Sequence, residues 1–405
     1  MIYKLMSSAG LALLIAACAA PPAPEKTVPR TEIKIGNTSP QTGPAQAYGS
    51  VSRTLGDFFK KVNEDGGVNG LPVRFVIRDD GYDPPRSRRQ SRSLVEGGTV
   101  DLFAGSIGTP TQLAVRKYLN DTGIPQIMVV SAHPSFNQPD RFPWTMGFLP
   151  SYEVEGMVFG QWIRTNHPDR KIAVLFQDDS FGQSYLRGLR NGLGTSEDNL
   201  IALESYQRSD VSVARHTERL ANSGAQVFVN ISVPKFAAQA IRTKAEKGWQ
   251  AVHLLASVST SMTSTIKPAG NQNASGIIST SYLKDPTDPM WNGDAEVREY
   301  RSFLAAYSPG EDKDSAFNVF SYAFGHVLLD ILKRSGPDYS HEAIMRAATS
   351  IKDVDPPMFL PGIKVNTAPG DHVPISALWM TRFDGTAFQA LEGPIEVNCC
   401  RPYAE

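Results

Sequence analysis

Side chains able to carry covalent or metal chemistry are sparse in this 405-residue chain, and none of them falls into a working pattern. The seven histidines, His133, His167, His216, His253, His326, His341 and His372, lack the short spacings through which imidazoles share a metal ion. No G-x-S-x-G turn offers a serine nucleophile and no H-E-x-x-H helix a zinc site. No Walker loop, nor any G-x-G-x-x-G turn after a strand, offers a phosphate cradle. Asp178 and Asp179 form an acidic pair at a strand end. Paired carboxylates could serve acid–base chemistry, but no basic or nucleophilic motif accompanies them, so loop and helix-cap roles are the stronger expectation. Arg86, Arg88, Arg89 and Arg92 cluster near the start of a helix, where a solvated face is a better reading than an anion site. The chain therefore reads as a non-enzyme with no metal and no cofactor.

The thiols point to a different chemistry. An apolar run over residues 5–17 follows Lys4 and ends in Leu14-Ile15-Ala16-Ala17-Cys18. It is shorter than the roughly 20 residues of a membrane-spanning helix and fits the apolar core of an export signal. An aliphatic residue three places before a cysteine, with two alanines between, resembles the bacterial lipoprotein signal, in which the cysteine is acylated and becomes the new N-terminus. On that reading residues 1–17 are a signal peptide, Cys18 is the lipidation site, and the Pro-rich stretch 18–30 is an extended tether. Acyl chains contribute about 0.8 kcal/mol per buried CH₂, so several hold where one would not. Secretion with cleavage after Ala17 or Ala20 is the alternative. Cys399 and Cys400 are too few for a disulfide-built fold, so the body must stand on a hydrophobic core. A net charge of −1, from 40 Lys+Arg against 41 Asp+Glu, gives no reason to expect nucleic acid as a partner.

The length suits two lobes, and short apolar runs alternate with amphipathic stretches. Residues 33–36, 73–77, 102–104 and 127–130 read as strands. A helix with Val51, Leu55, Phe58, Phe59 and Val62 on one face ends at the turn Asp65-Gly66-Gly67-Val68-Asn69-Gly70. Thr109 and Pro110 offer an N-cap and a first-turn proline to a helix closed by Gly123. After Met146 the pattern restarts: helix 153–166, strand 172–176, helix 181–193, strand 227–231, helix 234–247, strand 254–256. Two such series predict an α/β fold of two Rossmann-like lobes, each with a parallel sheet covered by helices. Phe317, Phe320, Phe324, Val327, Leu328 and Ile331 share a helix face that reads as core. Asp384-Gly385-Thr386 between the runs 375–382 and 387–391 predicts a β-hairpin. Open α/β sheets bind ligands beyond the carboxyl ends of their strands, so two lobes should face each other across a cleft.

An ordered set of segments then looks familiar. GNTSPQTGPAQAYG (36–49), DGGVNG (65–70), DDGYDP (79–84), GSIGTPTQL (105–113), FPWTMG (142–147), FQDDSFG (176–182), KFAAQA (235–240) and PGIKVN (361–366) follow one another over roughly residues 33–392. Together they resemble the branched-chain amino-acid-type substrate-binding proteins of ABC transporters, the type I periplasmic-binding fold. The resemblance implies two lobes joined by three crossings, near 148–152, 279–283 and 356–364. Lobe I would then hold 31–149 and 283–358, and lobe II 150–282 and 359–405. It places Tyr48 as an aromatic lining residue, and Gly108 and Thr109 on the loop that binds the ligand carboxylate. A Thr at a helix N-terminus presents uncommitted donors to an anion, which suits that role. Ser131, Ala132 and His133 would flank the ligand after the next strand. Phe181 would cover it from the second lobe, with Ser232, Val233, Ser257 and Val258 at later strand ends and Tyr282 at a crossing.

One departure from the family bears on the ligand. Members that bind α-amino acids usually carry an acid on the loop after strand 254–256, whereas this chain reads Ser257-Val258-Ser259-Thr260-Ser261. An unpaired, desolvated ammonium costs several kcal/mol, comparable to the ~8 kcal/mol of a micromolar complex. Apolar or aromatic carboxylates are therefore expected over branched-chain amino acids, unless Asp80, Asp178, Asp179 or another acid reaches in. The resemblance implies a periplasmic, lipid-anchored monomer that passes a small-molecule ligand to an inner-membrane ABC permease. A ligand sensor or a lipoprotein regulating a cell-wall synthase are the alternatives on the same fold.

Overall fold

The structure, a computed structural model, describes residues 30–396. The expected signal peptide, most of the expected tether, Cys18, Cys399 and Cys400 lie outside the described residues. Twelve strands form two sheets. The first has the order β2-β1-β3-β4-β5 and is parallel throughout, with β1 Ile33–Ser39, β2 Val73–Asp79, β3 Leu102–Ala104, β4 Gln126–Val129 and β5 Thr145–Gly147. The second has the order β12-β11-β10-β9-β8-β6-β7. Its strands are β6 Ile172–Gln177, β7 Leu200–Tyr206, β8 Val227–Ile231, β9 Val252–Leu255, β10 Ile278–Ser281, β11 Ala377–Phe383 and β12 Phe388–Glu396. Strands β6 to β10 run parallel, while β11 and β12 add antiparallel to that edge as the hairpin expected at Asp384-Gly385. Asp384 builds the turn by accepting from the backbone N–H groups of Thr386 and Ala387.

Helices α1 Gly49–Glu64, α2 Pro84–Glu96 and α3 Thr109–Asp121 alternate with the first four strands. In the second series α4 Tyr152–Asn166, α5 Ser180–Leu193, α6 Ala214–Ala221 and α7 Pro234–Glu246 do the same. Short α8 (Lys267–Ala269) and α9 (Asn271–Ala274) precede β10. After it come α10 Ala295–Tyr307, α11 Ala316–Ser335 and α12 His341–Ala348. These last three return to the first sheet: Val297, Tyr300, Phe324 and Ile344 share one buried cluster with Ile33, Leu55, Leu102 and Ile127. The aromatic face of α11 is core, as its pattern predicted.

The strand β10 ends at Ser281, so the chain leaves the second sheet within the expected 279–283 crossing. One expectation shifts. Residues 359–376, expected in lobe II, pack on the first core instead. Ile363, Val365 and Ile375 are buried there, and His372 Nδ1 lies 2.8 Å from the Thr145 carbonyl oxygen. The run's apolar residues are sealed by that core, and the chain rejoins the second sheet only at Ala377.

Helices α4 and α5 are packed backbone to backbone. Gly156 and Gly160 on α4 face Gly188 and Gly192 on α5, each four residues apart. A Cβ at Gly188 would overlap the Glu153 carbonyl oxygen, and one at Gly192 the Met157 carbonyl oxygen. This close approach brings Tyr152, Glu155, Phe181 and Tyr185 together.

Candidate functional site

Between the two sheets lies a cavity of ≈ 120 Å³, bounded by both chain exits, Leu149-Pro150 and Ser281 to Pro286. The first core contributes Tyr48, Val51, Val130, Phe317 and Phe320, and the second sheet contributes Val258, Met262 and Phe388. These walls are mostly apolar. An apolar cavity of about 150 Å³ suffices for benzene, so the body of a single-ring or short branched solute matches this space. Phe317 and Phe320, read from sequence only as core, thus also face the cavity because α11 begins at its wall.

Three acids stand in this wall, Glu155, Asp285 and Asp314, and Glu155 is the most deeply buried. Glu155, 2 % exposed, is on α4 one turn beyond Tyr152. Its Oε1 accepts from Ser257 N–H at 2.8 Å, and its Oε2 accepts from Ser257 Oγ at 2.7 Å and Tyr185 Oη at 2.5 Å. Burial pushes its carboxyl above the usual range, and the three donors only partly oppose this. It makes no ion pair among the described residues. Lys284, also at the cavity, is held by Asp294 at 3.0 Å and Glu296 at 2.8 Å. Two more buried polar atoms in the wall, Thr280 Oγ1 and Thr381 Oγ1, have no hydrogen-bond partner.

The carboxylate loop expected at Gly108 and Thr109 lies beside this cavity. Helix α3 starts at Thr109 with Gly108 as its cap, so the Thr109 hydroxyl does not cap the helix. It meets Ser131 Oγ at 2.8 Å instead. The hydroxyl of Tyr152 sits among Thr109, Ser131 and the Ala132 backbone, and burial raises its pKa to about 12 against the pull of those partners. Tyr152 therefore joins the two regions, since it also lines the cavity. Gly108, at φ +105°, lies flat under the Tyr82 ring: a Cβ there would come 2.6 Å from Tyr82 Cε2. Tyr82 itself has φ +61° and is held across the cleft by Arg208, whose Nη1 donates to the Tyr82 carbonyl oxygen at 2.8 Å.

The residues expected at the site divide accordingly. Tyr48, Ser257, Val258 and Tyr282 line the cavity, and the Tyr48 hydroxyl donates to the Val258 carbonyl at 3.3 Å. Thr109, Ser131 and Ala132 meet around the Tyr152 hydroxyl, with Gly108 under Tyr82. His133 Nδ1 accepts from Ser135 N–H and caps the next turn. Phe181 packs edge-on against Tyr152, with ring centroids 5.0 Å apart, and so acts through that ring. Ser232 and Val233 lie at the start of α7 beside Tyr206, whose oxygen accepts from Val233 N–H. Asp179 caps α5 by accepting from Phe181 N–H, as the cap reading expected. Arg86 and Arg92 are paired with Asp79 and Glu96, which fits the solvated-face reading. Tyr82, Tyr152 and Glu155 were not expected at the site. The last two had a signal: 152, 155 and 159 share one face of α4, and an acid between two aromatics on a buried face needs a reason.

A family model described as periplasmic binding protein matches residues 32–387. The chain belongs to that family. It is of the branched-chain amino-acid type, a group of solute-binding proteins rather than enzymes. This periplasmic binding protein is 24% identical over 317 residues to Leu/Ile/Val-binding protein homolog 1 of Brucella suis, covering 77% of this chain and 81% of the relative. Its fold matches a Thermus thermophilus branched-chain amino acid ABC transporter protein with bound valine at TM-score 0.80 and 16% identity, covering 92% of this chain and 98% of that one. It also matches a Rhodopseudomonas palustris solute-binding protein in complex with benzoate at TM-score 0.75 and 18% identity, covering 89% and 95%. Among the described residues, no helix is long and apolar enough to cross a membrane, and no cluster of His, Cys, Asp and Glu could hold a metal ion.

Proposed function

We propose that this binding protein captures a small organic carboxylate with an apolar or aromatic body between its two lobes and delivers it to an inner-membrane ABC permease. The observation that carries this reading is the cavity between the sheets, apolar over most of its wall and beside the Thr109–Ser131 pair. The carboxylate binds at Gly108, Thr109, Ser131 and Ala132, displacing the Tyr152 hydroxyl. There the Thr109 and Thr111 N–H groups lack intrahelical acceptors, while Pro110 has no N–H and Gln112 N–H donates to the Gly108 carbonyl. The apolar body lies against Tyr48, Val258 and Tyr282. Contacts from both lobes favour closure, and the permease reads the closed state.

Carboxylates lacking an α-ammonium bind better than leucine, isoleucine or valine in this reading. Two observations support it: the loop Ser257 to Ser261 has no acid, and three donors within the fold already fill most of the acceptor capacity of Glu155. The two structural relatives bind solutes of both kinds, valine in one and benzoate in the other. A thermal-shift and calorimetric panel of benzoates, phenylpropanoids, aliphatic acids and branched-chain amino acids tests the ranking. A ligand at 100 times its Kd raises stability by about 2.7 kcal/mol. Tightest binding by a branched-chain amino acid overturns the preference, and no binding by any member overturns the solute reading.

The protein works in the periplasm as a monomer, held to the membrane through lipidated Cys18. The sequence Ile15-Ala16-Ala17-Cys18 supports this. Cys18→Ser then moves the protein from the membrane fraction to the soluble exported fraction, and a wild type already soluble refutes the anchor.

A further inference from the structure

Glu155 is an acid in a place where an apolar solute body alone gives it nothing to do. It is buried and lines the cavity, yet it makes no ion pair among the described residues. A carboxylate offers about four acceptor sites, and three donors from the fold take three of them. In the same wall Thr280 Oγ1 and Thr381 Oγ1, at residues 1 % and 3 % exposed, are left without partners. Buried polar atoms are nearly always satisfied, and at a cavity wall a solute can supply the missing partner. Thr280 Oγ1 lies close enough to the Glu155 carboxyl to oppose the effect of its burial but makes no hydrogen bond to it, so the acid and this hydroxyl face the same space.

We infer that the solute carries, besides its carboxylate, a hydrogen-bond donor that Glu155 and the neighbouring Thr280 and Thr381 hydroxyls receive. This deepens the reading above and rests on it: the carboxylate is read at Thr109, the apolar body by the walls, and the second polar group at Glu155. A hydroxyl and an ammonium are the two donors of suitable size. Because three fold donors leave Glu155 at most one acceptor position, a hydroxyl with its single O–H on a ring or chain is a better match than an ammonium, which has three N–H donors to satisfy. Ser257 matters here too, since it holds both carboxyl oxygens in place.

The test pairs ligands that differ by one donor: benzoate with hydroxybenzoates, phenylpropionate with its hydroxylated forms and with phenylalanine, and 4-methylpentanoate with leucine. Binding to the wild type and to Glu155→Gln is measured by calorimetry. The expected result is a donor-bearing member about tenfold or more tighter than its plain partner, with most of that advantage lost in Glu155→Gln. Equal affinities within every pair in the wild type overturn the inference, as does an advantage that survives unchanged in the variant. Should Glu155→Gln fail to fold, infrared difference spectra of the wild type replace it, in which a carboxyl band must move with donor-bearing ligands and stay still with plain ones. The two readings fail separately. Leucine or phenylalanine as the tightest ligands sink the preference for acids without an ammonium but keep the donor at Glu155. Plain benzoate tightest does the reverse.

Discussion

In the proposed function the Thr109 hydroxyl serves both the fold and the ligand. Its oxygen is 2.8 Å from Ser131 and within reach of Tyr152, so it is ready-placed for a carboxylate that displaces the phenol. Hydrogen bonds to a charged group contribute about 1.5–3 kcal/mol. Thr109→Val should therefore weaken carboxylate binding roughly 10- to 150-fold, with a melting temperature close to that of the wild type. Calorimetry with the best ligand of the panel decides it, and unchanged affinity means that the carboxylate lies elsewhere. Asp80 is the residue behind the Tyr82 turn. It accepts from Tyr82 N–H at 2.9 Å while its Oδ2 has no partner. Burial raises its pKa from 3.8 to about 7, against the hydrogen bonds that lower it. The folded protein thus holds a proton that the unfolded chain releases near pH 4, and stability falls as pH rises from about 4 to 7. Three units correspond to roughly 4 kcal/mol as an upper figure. Asp80→Asn should gain on the wild type across that window and be the more stable protein at pH 8. Denaturant midpoints at pH 4, 6 and 8 check this, and parallel curves for the two proteins would discard Asp80 as the source.

At the scale of elements the pair α4 and α5 sets the site. Their four facing glycines allow the helix backbones to touch, and this puts the Tyr185 hydroxyl 2.5 Å from Glu155 and the Phe181 ring on Tyr152. Overpacking by one methyl usually costs about 1–3 kcal/mol, and here the new atom would meet backbone that cannot rotate away. Gly188→Ala should lower the melting temperature by several degrees and weaken every ligand that uses Glu155. Gly310→Ala, at a position with open space around it, is the control and should leave both unchanged. Calorimetric scans of the three proteins separate the outcomes, and a Gly188→Ala protein as stable as the wild type rules out the tight packing.

In the proposed function the whole molecule works through the distance between its lobes, and among the described residues few polar contacts span the cleft. Arg208 reaches the Tyr82 carbonyl at 2.8 Å and lies 3.9 Å from Asp179, while Tyr48 reaches Val258 and Thr263 meets Asp312. Arg208 is one-third exposed, so its bond is worth about 1 kcal/mol. Because it holds the closed form without lining the cavity, Arg208→Ala should weaken all ligands by one common factor of roughly fivefold. The order of ligands should stay as it was, and small-angle scattering of the unliganded protein should show a larger radius of gyration. A changed order means that Arg208 touches the ligand, and no change in affinity means that it does not hold the cleft.

Much of this protein is legible in its residues. The alternation of apolar runs and amphipathic stretches predicts two parallel sheets, because each strand buried on both faces and each helix stripe needs a partner nearby in sequence. The strands at 33–36, 73–77, 172–176 and 227–231, the aromatic core face of α11 and the Asp384-Gly385 hairpin follow from such local rules. Residues whose neighbours are distant in sequence were decided only by the tertiary structure. Glu155 and Ser257 are 102 positions apart, and Tyr82 and Arg208 are 126 apart. The loop Ser257 to Ser261 has no acid of its own, yet the fold brings one to it from α4. Segment 359–376 joined the first core because burial there seals apolar residues that sequence order alone would assign to the second lobe. Periodicity reports which face of an element is buried; only packing reports what that face meets.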